Sequence, residues 1–522
     1  MPRKSGMAQS KQNFQPNKMP KINARHKEYL TYLPQWQKID AAIAGEEAVK
    51  ALRTNALPMP NADDTSPENI ARYGSYLQRA VWHAVSGRTL TNMTGQVFSI
   101  APTSELPGVL DQLNVDVDGA GVNIAQQSKQ ALIHLLSKSR CGLFVDYPAT
   151  NGVVTIADQE SKGIRPIILL FNPVQIINWR VSKRGAYSKL SLVVIETDYM
   201  ATDDGFEATY APEWKALRLV NGVYTVETWR KPKGRDFTLI SSLIPQDGSG
   251  KPFDEIPFVF IGVESNDCTV EKPLLGDIVN LNFAHFRDSA DYQEAVYMLG
   301  QPTAWVNGLT DTWITKQMKG VVSLGSRNII PLPEGSIMGL LQVAPNTLPK
   351  EAMDQKESQM QSLGANLVER KEVAVTATEA GIDDAAETSI LSSCADNVSA
   401  AYCHALSFAG RFANVEVSDD PLAPIFELNT DFAVARLTPE EVKATLEAYN
   451  GGLISFTEAR DKLKRGGYAF EEDDAVKGEI DQKAEADLQA AMQQAAAAKP
   501  VVVAGGKPVP AKKTAKKATK PA

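Results

Sequence analysis

The sequence predicts an α+β chain of more than one domain, gathered round a single long helix. Three observations carry this. Residues 271–300 (EKPLLGDIVNLNFAHFRDSADYQEAVYMLG) contain no internal breaker except Gly276 near the start, with Pro273 suited to a first helical turn and Gly300 before Gln301–Pro302 as the stop. About 27 helical residues at about 1.5 Å each make a rod of about 40 Å. Between positions 141 and 261, short runs rich in Val, Ile, Leu, Phe and Trp alternate with turn residues, which predicts strands. Finally, 522 residues exceed the size of one ordinary domain.

Leu274, Leu275, Ile278, Val279, Leu281, Phe283, Phe286 and Ala290 cover well over half of the long helix's circumference. A helix apolar on more than one face is buried on more than one side. Two arrangements satisfy this: a central core helix of a large domain, or a helix packed between copies of itself. In the second, Leu275, Ile278, Val279, Phe283 and Phe286 are the inter-subunit positions.

The remaining elements follow in order. Residues 1–28 are polar and basic, a flexible arm. Helical patterns begin near His26–Tyr32 and recur over 35–51. Ser66 can cap the next helix and Pro67 suits its first turn; Ile70, Tyr73, Leu77, Val81 and Val85 then follow at helical spacing. Another helix over 123–139 leads to the strand CGLFVDYP. Residues 165–197 read as two strands, RPIILLFNPVQIINWRV and LSLVVIET, with further strands at 216–219, 224–230, 238–244 and 254–261. After the long helix comes an α/β insert with strand-like pieces VVSLG, RNIIPLP and GSIMGLLQV. A more polar helix spans 348–371, a small acidic loop 372–387, and a Ser/Ala-rich helix 388–412, whose small residues permit close backbone approach. A strand near 425–428 precedes two helices with N-terminal signatures, Thr438–Pro439 with Glu441 and Ser455 with Glu458. A low-complexity Ala/Lys tail ends the chain.

Apolar content of 43% and charged content of 22% are those of a globular protein. No apolar run approaches the roughly 20 residues that cross a bilayer, and the basic N-terminus lacks a signal-peptide core, so folding in a cytoplasm is expected. Cys141, Cys268, Cys394 and Cys403 are far apart and are expected to be free thiols. The five histidines are scattered; only Cys403 and His404 are adjacent, and helical neighbours point about 100° apart, so no metal site is expected. No Walker loop, H-E-x-x-H or G-x-S-x-G occurs, and no catalytic residue or cofactor is expected. The last 24 residues hold seven lysines and no acid, so the net charge of −8 leaves the rest of the chain at −15. An acidic body excludes wholesale gripping of DNA phosphates. Lys316, Lys319 and Arg327 in the insert, beside Trp313, are either ordinary solvated surface or contacts to an acidic partner.

Seven pieces in order carry a resemblance: YGSYLQRAVWHAVSGRTLTNMTGQVFSIAP (73–102), RPIILLFNPVQIINWR (165–180), EIPFVFIG (255–262), KPLLGDIVNLNFAHFRDSAD (272–291), LGQPTAWVNGL (299–309), QMQSLGANLVE (359–369) and TATEA (376–380). Together they resemble the portal proteins of tailed bacteriophages, over residues 29–465. The resemblance implies a portal-type fold: an α/β wing (29–267, with strands returning at 414–437), a two-helix stem (268–300 and 348–371), a clip (301–347), a tunnel loop (372–387), a tunnel/wing helix (388–413), a short helical crown (438–497) and a disordered tail (498–522). It implies a ring oligomer, usually of twelve, at one capsid vertex of the virion, conducting double-stranded DNA in packaging and ejection without reading its sequence. The terminase large subunit would dock on the clip, where Trp313, Lys316, Lys319 and Arg327 are candidates; a head-completion or tail adaptor protein would replace it. Major capsid and scaffolding proteins would meet the wing. Glu372, Thr376, Thr378, Glu379, Asp383, Asp384 and Glu387 would face DNA, their acids limiting tight ionic contacts that would slow sliding. The rivals are another virion structural protein without a channel, a hydrolase or nuclease with an unrecognised site, and a DNA-binding regulator, which suits an acidic body poorly.

Overall fold

A computed structural model describes residues 21–148, 163–185, 187–300, 303–316, 332–341, 347–365, 390–417, 425–430, 439–451 and 453–465. The chain divides into two units, residues 1–432 and 433–522. Five helices open the first: α1 (Lys27–Ala44), α2 (Glu46–Ala51), α3 (Pro67–Arg79), α4 (Val85–Val97) and α5 (Ile124–Lys138). The two helical patterns before position 51 do not break at Pro34, which α1 carries inside it. Ser66 caps α3, its hydroxyl accepting from the Asn69 amide at 3.2 Å, with Pro67 at the first position. α5 starts with a capping box between Asn123 and Gln126 and stops where Ser139 adopts a left-handed conformation.

The strands form two main antiparallel sheets. One has the order β3–β2–β9, from β2 (Arg140–Asp146), β3 (Ile167–Phe171) and β9 (Phe258–Gly262). β2 pairs on both sides, Leu143 facing Leu170 and Val259, and is buried almost throughout. A strand covered on both faces reads as a continuous apolar run, hence CGLFV. The other is a five-stranded meander of β4 (Ile176–Arg184), β5 (Tyr187–Asp203), β6 (Ala208–Val220), β7 (Val223–Arg230) and β8 (Thr238–Leu243). The run RPIILLFNPVQIINWRV is therefore two strands in different sheets. Asn172 precedes Pro173, and its side-chain oxygen accepts from the amides of Val174 (2.9 Å) and Gln175 (3.2 Å), closing a turn between β3 and β4.

The long helix is α6 (Gly276–Gly300). It starts three residues after Pro273, whose carbonyl accepts from Gly276 in a turn, so Pro273 precedes the helix instead of opening it. α7 (Asp311–Lys316) follows β10 (Thr303–Asn307), which pairs with β11 (Ile337–Leu341). The piece VVSLG and residues 327–331 of RNIIPLP lie outside the described residues. α8 (Leu348–Ala365) is the second, polar helix, described as far as Ala365.

α9 (Ile390–Ala413) lies against β9, β2 and α5, and its small residues face that crowd: Ser392, Cys394, Ala395, Ser399, Ala401, Ala405 and Ala409 are buried. Tyr402 donates to Gln127 Oε1 (3.0 Å), and Gln127 donates on to the Ile168 carbonyl (2.7 Å), a buried chain joining α9, α5 and the sheet. β12 (Phe426–Glu427) returns to pair with β1 (Thr103–Ser104). In the second unit, α10 (Pro439–Asn450) and α11 (Phe456–Arg465) pack on each other. The capping box of α11 forms: the Ser455 amide donates to Glu458 (2.7 Å) and the Glu458 amide to the Ser455 hydroxyl (3.2 Å). Thr438 lies outside the described residues. All four cysteines are free thiols.

Candidate functional site

The paired helices α6 and α8 and the small insert between them form the candidate site. The pair runs antiparallel: going up α6 from His285 to Asp288, the partner on α8 steps back from Glu357 to Lys356. The insert therefore sits at one end. There Gly339 lies opposite Trp305, and a Cβ at Gly339 would come within 2.8 Å of the indole. Glycine lets the ring lie flat across the ribbon. Trp305 (46% exposed), Ile337 and Met338 leave an apolar end on the pair. Trp313 is half-buried in α7 and Lys316 is exposed. Lys319 and Arg327 lie outside the described residues, as do Glu372, Thr376, Thr378, Glu379, Asp383, Asp384 and Glu387.

The five candidate inter-subunit positions are reassigned by burial. Leu275, Ile278, Val279, Phe283 and Phe286 are 0–1% exposed within one chain, so a neighbouring copy cannot reach them. Trp82 packs edge-on to Phe283 (5.1 Å) and Phe286 (5.9 Å), and α1, α3, α4 and α8 surround the helix. Its surplus apolar coverage is taken up by its own chain. Towards the insert the cover thins, and Val296 and Tyr297 stand about half exposed. α3 braces this end. Tyr76 donates to Asp291 (2.5 Å), Arg79 pairs with Glu294, and the Arg79 guanidinium lies 4.4 Å from the Tyr297 ring. Burial, then the Asp291 hydrogen bond, raises the Tyr76 pKa well above its ordinary value.

Residues 80–84, between α3 and α4, leave the helix although Val81 and Val85 continue its apolar spacing. Side chains of α6 hold them there. Ser289 Oγ accepts from the Val81 amide (3.1 Å), and Asn282 Nδ2 donates to the His83 carbonyl (2.7 Å). Asn282, fully buried, also accepts from the Ser86 amide (3.3 Å) and hydroxyl (2.9 Å). This places the His83 imidazole beside α6 and α8. Glu357 Oε1 lies 2.9 Å from His83 Nδ1 and 3.1 Å from His285 Nε2, and the two rings meet edge-on at 5.4 Å. His285 is buried; His83 and Glu357 are about one-third exposed. Burial lowers the His285 pKa, with the Glu357 carboxylate pulling the other way. Such a grouping from three distant segments has no signature in local spacing, and sequence reasoning missed it.

Among comparisons with known proteins, residues 273–413 match the family model described as Domain of unknown function (DUF4055). No curated protein matches the chain. Among solved structures, the chain is similar to a chain in the neck of an empty GTA particle computed with C6 symmetry (14% identity, 73% of this chain and 90% of that one, TM-score 0.36). It is similar to chains in the virion of a native gene transfer agent particle (14%, 73% and 89%, TM-score 0.36) and in the neck of the native particle computed with C12 symmetry (14%, 73% and 89%, TM-score 0.33). Scores of this size place the chain in no fold family.

Proposed function

We propose that the chain is the subunit of a portal-type ring in a phage-like virion, a non-enzymatic conduit for double-stranded DNA at the capsid vertex. The observation that carries this reading is the antiparallel helix pair α6–α8, built into an α/β body and joined at one end by a small insert with an exposed apolar end. The ordered sequence pieces agree with that layout. In this reading the helix pair is the stem, and the insert is the clip that meets the terminase large subunit and later a head-completion or tail adaptor protein. The body is the wing that meets coat and scaffolding proteins, and the acidic segment 372–387 is the loop past which DNA slides.

Neighbouring copies would use surface that one chain leaves bare. Val296 and Tyr297 near the end of α6 are one such patch. β8 is another: it is the edge of the meander, and Leu239, Ile240 and Leu243 are 44–48% exposed along it. An apolar edge strand invites cover by another chain.

Native mass measurement and electron microscopy of the purified chain test this. Twelve copies of 56.7 kDa come to about 680 kDa, and rings should show a hole wide enough for a duplex. Material that stays monomeric under assembly conditions sinks the reading. Closed particles or sheets without a hole would favour another virion structural role. Turnover of DNA or ATP is expected to be nil.

A further inference from the structure

We propose that His83, His285 and Glu357 form a binding site for one divalent transition-metal ion of the Zn2+ class, joining residues 80–84, α6 and α8. One donor atom from each residue lies within 4.8 Å of the other two. Zinc takes imidazole nitrogen and carboxylate oxygen at about 2.0–2.2 Å, which sets tetrahedral ligand atoms about 3.3–3.5 Å apart. The 2.9 Å and 3.1 Å separations to Glu357 need open by only a few tenths of an ångström, while the two imidazole nitrogens, within 4.8 Å of each other, would draw together on the ion. Two neutral imidazoles and one carboxylate suit zinc, cobalt or nickel better than calcium or magnesium, which prefer all-oxygen sets.

The site is prepared and reachable. Asn282 fixes the backbone at both His83 and Ser86, and Glu357 engages the His83 ring at Nδ1 before any ion arrives. His285 is anchored inside, while the one-third exposed His83 and Glu357 leave an entry path from solvent and room for water on the ion. The Glu357 contact engages Nε2 of the buried imidazole and leaves the other ring nitrogen without a partner. Burying His285 Nδ1 in this way carries a desolvation cost that an apolar side chain would avoid. A coordinate bond at Nε2 would pin the two helices to the segment beneath them. The site lies within one chain and does not depend on ring formation.

Cobalt titration of the chelator-treated full chain tests the proposal, with zinc binding followed by calorimetry. The expected result is one ion per chain, with visible cobalt absorption and no thiolate-to-cobalt band, which separates this site from the cysteines. His285→Gln and Glu357→Gln should each weaken binding by about 100-fold or more, and His404→Gln, an exposed histidine on α9, should leave it unchanged. His83→Gln, at the partly exposed ligand, repeats the test if a variant at either of the other ligands misfolds by circular dichroism. Absence of saturable one-to-one binding overturns the proposal, as does binding that survives all folded ligand variants. Oligomeric state is read separately by size exclusion, so a chain that binds metal but forms no ring rejects the portal reading alone.

Discussion

The guanidinium of Arg140 lies 4.1 Å from the centroid of the Trp179 ring, in the interior of the first unit. The Phe260 ring lies at the same distance from it, and one nitrogen donates to the Cys268 carbonyl at 2.8 Å. Among the described residues no carboxylate pairs with it, and two of its nitrogens have no partner. Burial lowers its pKa to about 10, so it is charged at neutral pH. The aromatic faces supply what an acid would, at about 2 kcal/mol for a desolvated contact. Replacing a buried charge by an apolar side chain of similar volume is often neutral or stabilising. Arg140→Met is therefore expected to hold or raise the urea midpoint, whereas Trp179→Leu should cost about 3–5 kcal/mol by opening a cavity beside an uncovered cation. A loss above about 2 kcal/mol in Arg140→Met would show that the charge itself supports the fold.

Asn282 is the second test, because one amide holds two partners in the segment that carries His83. Asn282→Leu keeps the volume but leaves the His83 carbonyl and the Ser86 amide unsatisfied, each at about 1–3 kcal/mol. The expected loss is about 2–4 kcal/mol in chemical denaturation. Asn282→Asp keeps the acceptor but sets a carboxylate against the His83 carbonyl, and should be no better. A loss within 0.5 kcal/mol for both, about what an ordinary surface change gives, would mean the segment is held by packing alone.

These two sites show what the sequence could and could not say. The β2 run CGLFV was readable because burial on both faces writes a continuous apolar string, and the Ser66 and Ser455 caps because capping is local chemistry. The break at residues 80–84 was not readable, since Tyr73, Leu77, Val81 and Val85 keep helical spacing and the side chains that undo it sit about 200 positions away. The His83–His285–Glu357 grouping was hidden for the same reason. The apolar coverage of α6 showed that it must be covered on several sides, but hydrophobicity does not identify the covering chain. Trp82 and α8 supply the cover that a neighbouring copy was expected to give.

Gly142 tests how tightly the three-stranded sheet is filled. A Cβ there would fall 2.3 Å from the Phe258 ring tip and 3.0 Å from Ile176 Cδ1. Both are core side chains with little freedom to withdraw. Gly142→Ala should lower stability by about 1–3 kcal/mol through overpacking. In the double variant with Phe258→Leu the clash is relieved, so the two losses should sum to more than the double variant shows, with coupling of about 1 kcal/mol. Strict additivity in thermal or urea unfolding would place the cost in the strand backbone instead.

His134, on α5, gives the pH test. Burial, and then the Lys138 charge one turn along, lowers its pKa from the ordinary 6.5 to about 4. In the unfolded chain the ring takes a proton near 6.5; in the folded chain it resists until about 4. Between those values unfolding takes up a proton, so this contribution to stability is complete above about pH 6.5 and is lost as pH falls towards 4. The full shift is worth about 3 kcal/mol at about 1.4 kcal/mol per pKa unit, and a ring that is only half-buried should deliver about 1–2 kcal/mol of it. His134→Gln removes the group. Carboxylates also titrate in this window, but they do so in both proteins and cancel in the difference. Urea midpoints followed from pH 7 to pH 4 should therefore fall further in the parent chain than in His134→Gln, and parallel curves would show that the imidazole is solvated enough to take its proton in the folded state.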